Sequence, residues 1–187
     1  EVGAEYEYVA VDLQAGAGWK PEYLALNPGG KVPTLVDGEM VLTESAAICT
    51  YVGDRFPASR LTPPVGSLER AHYDQWCYFA MSELEQPLWT LAKHTFALPE
   101  RLRVPAVFDT ARWEFSVAAK VLAVGLGRRE FIVGDHCTAA DILIAHTLAW
   151  ARAFKLPLEH EHLTAYVERL LARPAWARTR EREREQT

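Results

Sequence analysis

Two residue pairs in the first third of the chain have the chemistry to bind a peptide-like ligand. Glu44 and Ser45 stand where an apolar run passes directly into a helix-like segment. Ser45 could cap that helix, and the free N–H groups of its first turn, with their partial positive charge, would attract a carboxylate. Glu44 offers a carboxylate to an ammonium group. The pair could therefore hold an α-amino acid group by both of its charges.

The second pair is Val32-Pro33, which follows the turn-prone stretch NPGG and a lysine. Val32 keeps its N–H and C=O, and a cis peptide bond before Pro33 would turn this backbone outwards, where an extended peptide could pair with it like an added strand. A ligand with its carboxylate at Ser45, its ammonium near Glu44 and its peptide portion at Val32 would be a γ-glutamyl peptide. On these residues alone an alternative stays open, in which Ser45 only caps a helix and Pro33 only shapes an edge strand.

The elements around these pairs are predicted to be short strands and one helix. The stretch YEYVAVDL, Tyr6–Leu13, is rich in aromatic and β-branched residues and predicts a half-buried strand. Val32–Val36 and Met40–Leu42 predict a hairpin, because Asp37-Gly38 between them supplies the positive φ angles that a tight turn needs. The segment from Ser45 to about Arg55 predicts a helix, which the following Phe-Pro dipeptide ends.

The rest of the chain predicts helices only. The proline-rich stretch Pro57–Gly66 predicts a linker, and beyond it apolar residues recur at three- and four-residue spacing. We therefore predict an α/β domain over residues 1–61 followed by an all-helical domain over residues 67–187. The tail RTREREREQT alternates in charge and predicts a solvated helix end. The predicted helices lie near Ser67–Ala92, Arg101–Gly125, Thr138–Phe154 and His162–Ala172.

Composition argues against several classes of partner. Apolar residues make up 49% of the chain and charged residues 24%, which is typical of a soluble globular protein. The net charge of −5, without a basic patch, argues against a nucleic-acid partner. No apolar run reaches the roughly 18 to 20 residues that a membrane span requires, and the start does not resemble a secretion signal. We expect contact with neither nucleic acid nor membrane.

The cysteines and histidines predict neither a disulfide frame nor a metal site. Cys49, Cys77 and Cys137 include no CxxC pair, which suits reduced thiols in a cytoplasmic protein. Each lies in or beside an apolar helical pattern, so we expect buried, unreactive thiols. The six histidines include no HxxxH or HExxH pair, and EHEH at Glu159–His162 is interpreted as a polar connector.

The stretch around the two residue pairs resembles a known family. The run NPGGKVPTLVDGEMVLTESAAICTYVGDRFP is similar to the glutathione-binding part of cytosolic glutathione S-transferases, in which the Val-Pro bond is cis and the Glu-Ser pair holds the γ-glutamyl group. Glutathione would be the co-substrate, and no metal is implied. The resemblance implies a set of glutathione contacts in this chain: Lys31, Val32, Pro33, Glu44 and Ser45.

A second motif lies in the helical half, in FIVGDHCTAADILIAH, Phe131–His146. Thr138 and Asp141 predict a capping box, in which the hydroxyl satisfies a helix N–H and the carboxylate reaches back to the cap. The motif resembles the helix-capping motif of the same family and is interpreted as structural. LARPAW, Leu171–Trp176, resembles the end of the family's usual final helix, so the likeness extends almost through the whole chain.

The resemblance implies a truncated thioredoxin-like N-terminal domain followed by the family's all-helical C-terminal domain. In the family a strand, a loop with the catalytic Tyr, Ser or Cys, and a helix precede the strand predicted at Tyr6–Leu13. The catalytic residue is therefore unknown. Three explanations stay open: a gene product longer than this sequence, which we favour; replacement of the missing part by rearrangement or by a partner chain; and a shortened, inactive relative.

The resemblance also places the second substrate against the first long helix. The aromatic stripe of HYDQWCYFAMSELEQPLW makes Tyr73, Trp76 and Phe79 candidate lining residues for a hydrophobic pocket. The segment SELEQ is similar to a stretch of the bacterial beta class, but Glu85 and Gln86 stand where that class has His and Lys. The substrate behaviour of the beta class is therefore not carried over to this chain.

The family's function supplies the overall expectation. A homodimeric enzyme of the cytoplasm would attach the glutathione thiolate to small hydrophobic electrophiles, a detoxification reaction. The alternative is a non-catalytic relative that keeps the fold and acts as a binding or scaffold protein. A catalytic loop encoded upstream would favour the enzyme.

Overall fold

The computed structural model describes residues 1–185. A small N-terminal part with a two-stranded sheet precedes a larger helical part, which agrees with the predicted fold class. The N-terminal elements are α1 (Pro21–Leu24), β1 (Thr34–Asp37), β2 (Met40–Thr43) and α2 (Ser45–Arg55). The helical part contains α3 (Leu68–Phe79), α4 (Glu85–Ala92), α5 (Phe108–Leu126), α6 (Ala139–Ala153), α7 (Glu161–Leu171) and α8 (Pro174–Glu185).

The predicted hairpin is confirmed, with its turn displaced by one residue. β1 and β2 are antiparallel, and Asp37 lies opposite Met40, so the two residues of the turn are Gly38 and Glu39. Gly38 has a φ of 61°, the left-handed value that the first position of a type II′ turn requires. The Asp-Gly signal had placed Asp37 in the turn. In the structure Asp37 is instead the last residue of β1.

The prediction of a strand over Tyr6–Leu13 is wrong. These residues have no regular secondary structure, and Tyr6 and Val9 are 57% and 70% exposed. A strand is stable only when its N–H and C=O groups pair with a neighbour. Within residues 1–185, β1 and β2 pair with each other and no strand lies beside Tyr6–Leu13.

The helix predicted over Ser67–Ala92 is confirmed, but it is not a uniform α-helix. Ser67 caps it, since its hydroxyl accepts a 3.0 Å hydrogen bond from the Arg70 N–H. A π-helical turn, Ala80–Leu84, joins α3 to α4, and a second, Lys93–Ala97, extends α4. The π-turns were not predicted, because apolar spacing does not reveal one additional residue in a turn.

The other predicted helices are confirmed with changes at their ends. The helix predicted from Arg101 begins at Phe108, after two 3₁₀ turns, the second of which starts at Pro105. The charged tail forms the exposed end of α8, and the last two residues of the predicted segment lie outside the described residues.

The core lies in the helical part around α6. This helix packs against α2, α3, α4 and α7, and its Ile144 and Leu148 side chains are fully buried. The predicted capping box, Thr138 with Asp141, begins α6. Asp141 Oδ2 accepts hydrogen bonds from the Thr138 N–H and hydroxyl at 2.8 and 2.9 Å. This motif therefore fixes the start of the helix on which the N-terminal part rests.

Polar contacts hold α2 against α3. The guanidinium of Arg70 donates to both carboxylate oxygens of Asp54, at 3.0 and 3.2 Å, a bidentate arrangement. The hydroxyls of Thr50 and Tyr73 form a 2.8 Å hydrogen bond. These contacts set the position of α2, and with it the hairpin, relative to the long helix.

Candidate functional site

The residues predicted to bind the ligand meet at the open end of the hairpin. Thr34 lies opposite Thr43 in the antiparallel register. Val32-Pro33 comes directly before Thr34, and Glu44-Ser45 comes directly after Thr43, so both dipeptides adjoin the same end of the hairpin. Residues distant in sequence therefore form one surface.

The loop before this surface is held by side chains of the preceding segment. The Tyr23 hydroxyl and the Asn27 amide donate hydrogen bonds to the Lys31 carbonyl at 2.6 and 2.7 Å. Tyr23 also shares a 2.9 Å hydrogen bond with the hydroxyl of Thr34. The amide oxygen of Asn27 accepts from the Gly29 N–H at 2.9 Å. The backbone that leads into Val32 is thus fixed on both sides of Lys31.

Val32 presents an unpaired backbone at this point. The Val32–Pro33 peptide bond is cis, as the family resemblance implies, and the Val32 side chain is 48% exposed. Across the described residues, neither the N–H nor the C=O of Val32 has a hydrogen-bond partner. An extended ligand could use both groups.

Glu44 has an unusual backbone where β2 meets α2. Its φ and ψ angles are 71° and 116°, in a region that residues other than glycine rarely adopt. Glu44 occupies the cap position of α2 and its carbonyl accepts from the Ile48 N–H at 2.9 Å. Ser45 is the first residue of the helix, so the expectation that Ser45 is the cap residue is wrong. Because Glu44 has a positive φ, the chain already turns at this residue. The cap position therefore falls on Glu44, one residue before the predicted cap residue Ser45.

The start of α2 can bind an anion. No side-chain hydrogen bond caps this helix. The first N–H groups of a helix have no partner within the helix and carry partial positive charge. The half-buried Ser45 adds a hydroxyl at the same place. A ligand carboxylate could therefore be bound by Ser45 and the first turn of α2.

Two residues of α4 interact with residues at this end of the hairpin. The Lys31 ammonium nitrogen lies 5.9 Å from the centre of the Trp89 ring, a cation–π distance. Burial, and then the negative charge of Glu44, raises the pKa of the Glu85 carboxyl above its ordinary value. Sequence reasoning noted Glu85 only as a departure from the beta class and did not place it near Glu44. Trp89 was missed, since nothing in the local sequence distinguishes it from a core aromatic residue.

The three candidate residues for a second-substrate pocket have different surroundings. Tyr73 is fully buried and Trp76 is 8% exposed, and the Trp76 ring packs over Gly125 of α5. Phe79 meets Trp76 edge to face at 5.2 Å and lines a cavity of about 330 Å³ between the long helix and α5. Of the three, Phe79 is the residue that a ligand in this cavity could contact.

The cysteine thiols are placed as expected of structural residues. Cys77 and Cys137 are buried and Cys49 is partly buried, and all three are free. Burial raises the pKa of Cys49, and it raises the pKa of Cys77 and of Cys137 to about 12. A thiol reacts as the thiolate, so burial suppresses nucleophilic chemistry at all three positions.

Two other kinds of site are absent from residues 1–185. No group of three or more His, Cys, Asp and Glu residues in that range is arranged to hold a metal ion. No helix in the same range is both long and apolar enough to cross a membrane.

Family models match both parts of the chain. Residues 1–54 match the model described as glutathione S-transferase, N-terminal domain. Residues 81–174 match the model described as glutathione S-transferase, C-terminal domain.

Individual relatives match over nearly the full length of the chain. It is 32% identical to glutathione S-transferase GstA of Escherichia coli O157:H7, over 93% of this chain and 85% of the relative. The structure of a glutathione S-transferase from Xylella fastidiosa superposes with a TM-score of 0.85 at 31% identity, over 97% of this chain and 88% of the other. Glutathione transferase URE2P6 from Phanerochaete chrysosporium, in complex with oxidized glutathione, superposes with a TM-score of 0.84 at 28% identity, over 100% and 88% of the two chains.

Proposed function

This chain belongs to the glutathione S-transferase family, and on that premise we propose that it binds glutathione and attaches its thiolate to hydrophobic electrophiles. One observation supports the proposal: the last pair of the hairpin, Thr34 with Thr43, directly follows Val32-Pro33 and directly precedes Glu44-Ser45, so both dipeptides adjoin the same end of the hairpin. This arrangement offers a backbone edge, a carboxylate and a free helix start within reach of one small peptide. Glutathione has the matching peptide, ammonium and carboxylate groups.

The proposed contacts follow from this geometry. The cysteinyl portion of glutathione would pair with the backbone of Val32, in the orientation that Pro33 imposes. The γ-glutamyl carboxylate would bind the first turn of α2 with the Ser45 hydroxyl, and its ammonium would lie near Glu44. The exposed ammonium of Lys31 would contact the glycyl end. A relative of this chain, URE2P6, was solved with oxidized glutathione, which supports the choice of ligand.

The proposed reaction needs glutathione as its thiolate, which is the nucleophile. A positioned hydrogen-bond donor would lower the thiol pKa so that the anion can attack an electrophilic carbon. We assign this role to no side chain among residues 1–185, since the cysteines are buried with raised pKa values. What the described residues contribute is binding and orientation of the peptide.

The electrophile would lie on the side of the long helix that Phe79 lines. The cavity there has a volume of about 330 Å³, and its lining combines aromatic, valine, alanine and proline side chains with four polar residues, Ser82, Glu83, Gln86 and Glu114. Such a lining suits a small molecule with an apolar body and a few polar groups. Tyr73 and Trp76 would support this wall from behind without touching the ligand.

We also propose the domain limits, assembly and compartment that the sequence suggested. The thioredoxin-like domain would end near Leu61, and the helical domain would begin near Ser67. A homodimer would use the exposed apolar stripe of α5, which recurs on one side of the helix through Trp113, Val117, Val121 and Val124. The first three of these residues also line the cavity beside Phe79, so the partner chain would lie against that cavity. The free thiols are in keeping with the cytoplasm, where thiols stay reduced.

The rival proposal is a non-catalytic family member that binds glutathione without using it. Calorimetric titration with glutathione and a conjugation assay with a chlorodinitrobenzene separate the two. Saturable binding with turnover supports the enzyme, and binding without turnover supports the rival. Ser45→Ala should weaken glutathione binding about three- to tenfold, and the exposed Ser116→Ala is the matched control. Unchanged affinity in Ser45→Ala would refute the site in both proposals.

A further inference from the structure

The imidazole of His136 joins the linker Pro57–Gly66 to the loop that precedes α6. Its Nδ1 lies 2.7 Å from Oδ1 of Asp135, and its Nε2 lies 3.0 Å from the backbone carbonyl oxygen of Arg60. Arg60 directly follows the 3₁₀ turn at the start of the linker. Both ring nitrogens of His136 therefore face oxygen atoms, one on each of the two segments.

Both of these oxygens can only accept a hydrogen bond. The carbonyl oxygen of Arg60 has no proton to donate. The hydrogen bond with His136, and then the charge of Arg60, lowers the pKa of the Asp135 carboxyl, so Asp135 is a carboxylate. A neutral imidazole has one N–H and can donate to one acceptor, whereas the imidazolium has two N–H groups and can donate to both. The protonated ring is therefore the form that satisfies both contacts.

A second contact of the linker with α6 does not depend on a proton. The N–H of Ala139, the first residue of α6, donates to the carbonyl of Leu61 at 2.8 Å. The first N–H groups of a helix have no partner within the helix, and this contact satisfies one of them. Two consecutive carbonyls of the linker thus bind this region, one through a backbone N–H and one through a ring that can titrate.

The other charged groups around the ring form pairs with each other. Asp135 also accepts from the Arg60 guanidinium at 3.3 Å, and both of these side chains are largely exposed. Arg173 and Glu1, which line the same cavity of about 270 Å³ as the ring, form a bidentate pair at 2.8 and 2.9 Å. Burial raises the pKa of Cys137 in this lining to about 12, so its thiol stays neutral. Asp135 is therefore the charged group that a second proton on the ring would meet.

We infer that His136 is a pH-dependent latch between the linker and the start of α6: the imidazolium holds both segments, and the neutral ring releases one of them. The His136 side chain is 28% exposed beside an open cavity, so the ring can exchange its proton with solvent. The linker joins α2 to α3, and its release would loosen the attachment of the hairpin part to the helical part. This inference does not depend on the proposed function.

The direction of the pH effect follows from the number of protons on the ring. The second hydrogen bond exists only while the ring of His136 carries two protons. Its contribution to stability is therefore present at low pH, and it is lost as the pH rises through the range of about 5 to 8 in which histidine titrates. We expect the latch to be closed near pH 5 and open near pH 8.

The first test compares melting temperatures at these two pH values. His136→Gln keeps an amide donor but cannot be protonated, so it imitates the neutral ring. Its melting temperature should be about 2 °C below that of the unmodified chain near pH 5 and should match it near pH 8. His72→Gln is the control, at an exposed histidine of α3 whose ring lies 3.4 Å from the Gln75 side chain. This control should show no such dependence on pH.

Removal of one acceptor tests whether the latch needs both. Asp135→Ala leaves His136 with the Arg60 carbonyl as its acceptor, and a neutral ring can satisfy that group alone. In the Asp135→Ala background, His136→Gln should therefore change the melting temperature by the same amount at both pH values. The effects of the two substitutions should not add near pH 5.

Hydrogen exchange tests the latch in the unmodified chain. The protection factor of the Ala139 N–H, which corrects for the intrinsic effect of pH on exchange, should fall about threefold between pH 5 and pH 8. The Ile132 N–H donates to the Asp141 carboxylate at 2.8 Å and takes no part in the latch. Its protection factor should stay constant, which makes it an internal control.

Three results would overturn the inference. A melting-temperature difference between His136→Gln and the unmodified chain that is equal at both pH values would mean that the ring has only a structural role. Full additivity of Asp135→Ala and His136→Gln near pH 5 would mean that the ring does not hold both segments at once. If the protection factor of Ala139 follows that of Ile132 at every pH, the linker does not respond to the proton.

Discussion

Tyr166 donates a 2.7 Å hydrogen bond to Oδ1 of Asp141, and both side chains are fully buried. The same oxygen accepts from the Ile132 N–H at 2.8 Å, while Oδ2 accepts from the N–H and hydroxyl of Thr138. Burial, and then the charge of Asp141, raises the pKa of Tyr166, so that the hydroxyl stays a donor. One carboxylate thus joins α6, α7 and the loop before α6.

Asp141→Ala should therefore be the most destabilising of three substitutions in this network. It leaves four donors without their acceptor, and we expect a loss of about 3 to 5 kcal/mol in the free energy of unfolding. Tyr166→Phe and Thr138→Ala each remove one partner and should cost about 1 kcal/mol. Urea denaturation of the three variants measures the order. Equal losses would mean that Asp141 is not the centre of the network.

The backbone of Glu44 leads to a second prediction. Glycine adopts a φ of 71° without strain, so Glu44→Gly should raise the free energy of unfolding by about 1 kcal/mol, after the entropy cost of glycine is subtracted. Glu44→Gln keeps a side chain in the same conformation and should leave stability within about 0.5 kcal/mol of the original. Both variants lose the carboxylate. If denaturation finds the glycine variant no more stable than the glutamine variant, the backbone of Glu44 is not strained.

The raised pKa of Glu85 predicts a dependence of stability on pH. A carboxyl whose pKa is higher in the folded state stabilises the fold at a pH below its unfolded pKa, and this contribution is lost as the pH rises through the folded pKa. Without ligand, Glu85→Gln should match the original chain near pH 4. At pH 7 its melting temperature should be higher by about 1 °C, a small shift because Glu85 is partly exposed.

Thermal melts at several pH values, with Glu69→Gln as control, measure this difference. A shift that is independent of pH would show that the amide, and not the lost charge, changes stability. A lower melting temperature at pH 7 would mean that the charged form of Glu85 has a stabilising partner in the folded chain.

The stripe on α5 predicts how the chain assembles. Val121→Asp places a charge in the middle of the proposed dimer contact, where burying it without a partner would be costly. We expect analytical ultracentrifugation to find twice the chain mass for the original protein and a single-chain mass for the variant. Val65→Asp, at an exposed valine in the linker, should leave the dimer intact. A dimer that survives Val121→Asp would locate the contact elsewhere.

Local signals predicted the part of the fold that forms the candidate site. The hairpin and the bounds of α2 followed from turn residues and a proline, which act within a few residues. The capping box of Thr138 and Asp141 also depends on residues three apart. Such features are readable because the interacting groups are close in sequence.

The features that sequence reasoning missed depend on distant residues or on backbone detail. A strand at Tyr6–Leu13 requires a neighbour, and its own composition cannot supply one. The influence of the Glu44 charge on the pKa of Glu85 joins two residues that are far apart in sequence, so no local pattern indicates it. The cap position of α2 depends on the φ angle of Glu44, which the sequence does not reveal because glutamate rarely adopts it.

The π-helical turn Ala80–Leu84 has a consequence for how this region tolerates changes in length. A π-turn contains one residue more than an α-turn over the same connection. Deleting a single exposed residue there, such as Ser82, would leave a regular helix in which Trp89 still faces Lys31. The same deletion within α3 would rotate every later side chain of the helix by about 100°. The extra residue thus acts as a spacer that lets the helix gain or lose length without changing its phase.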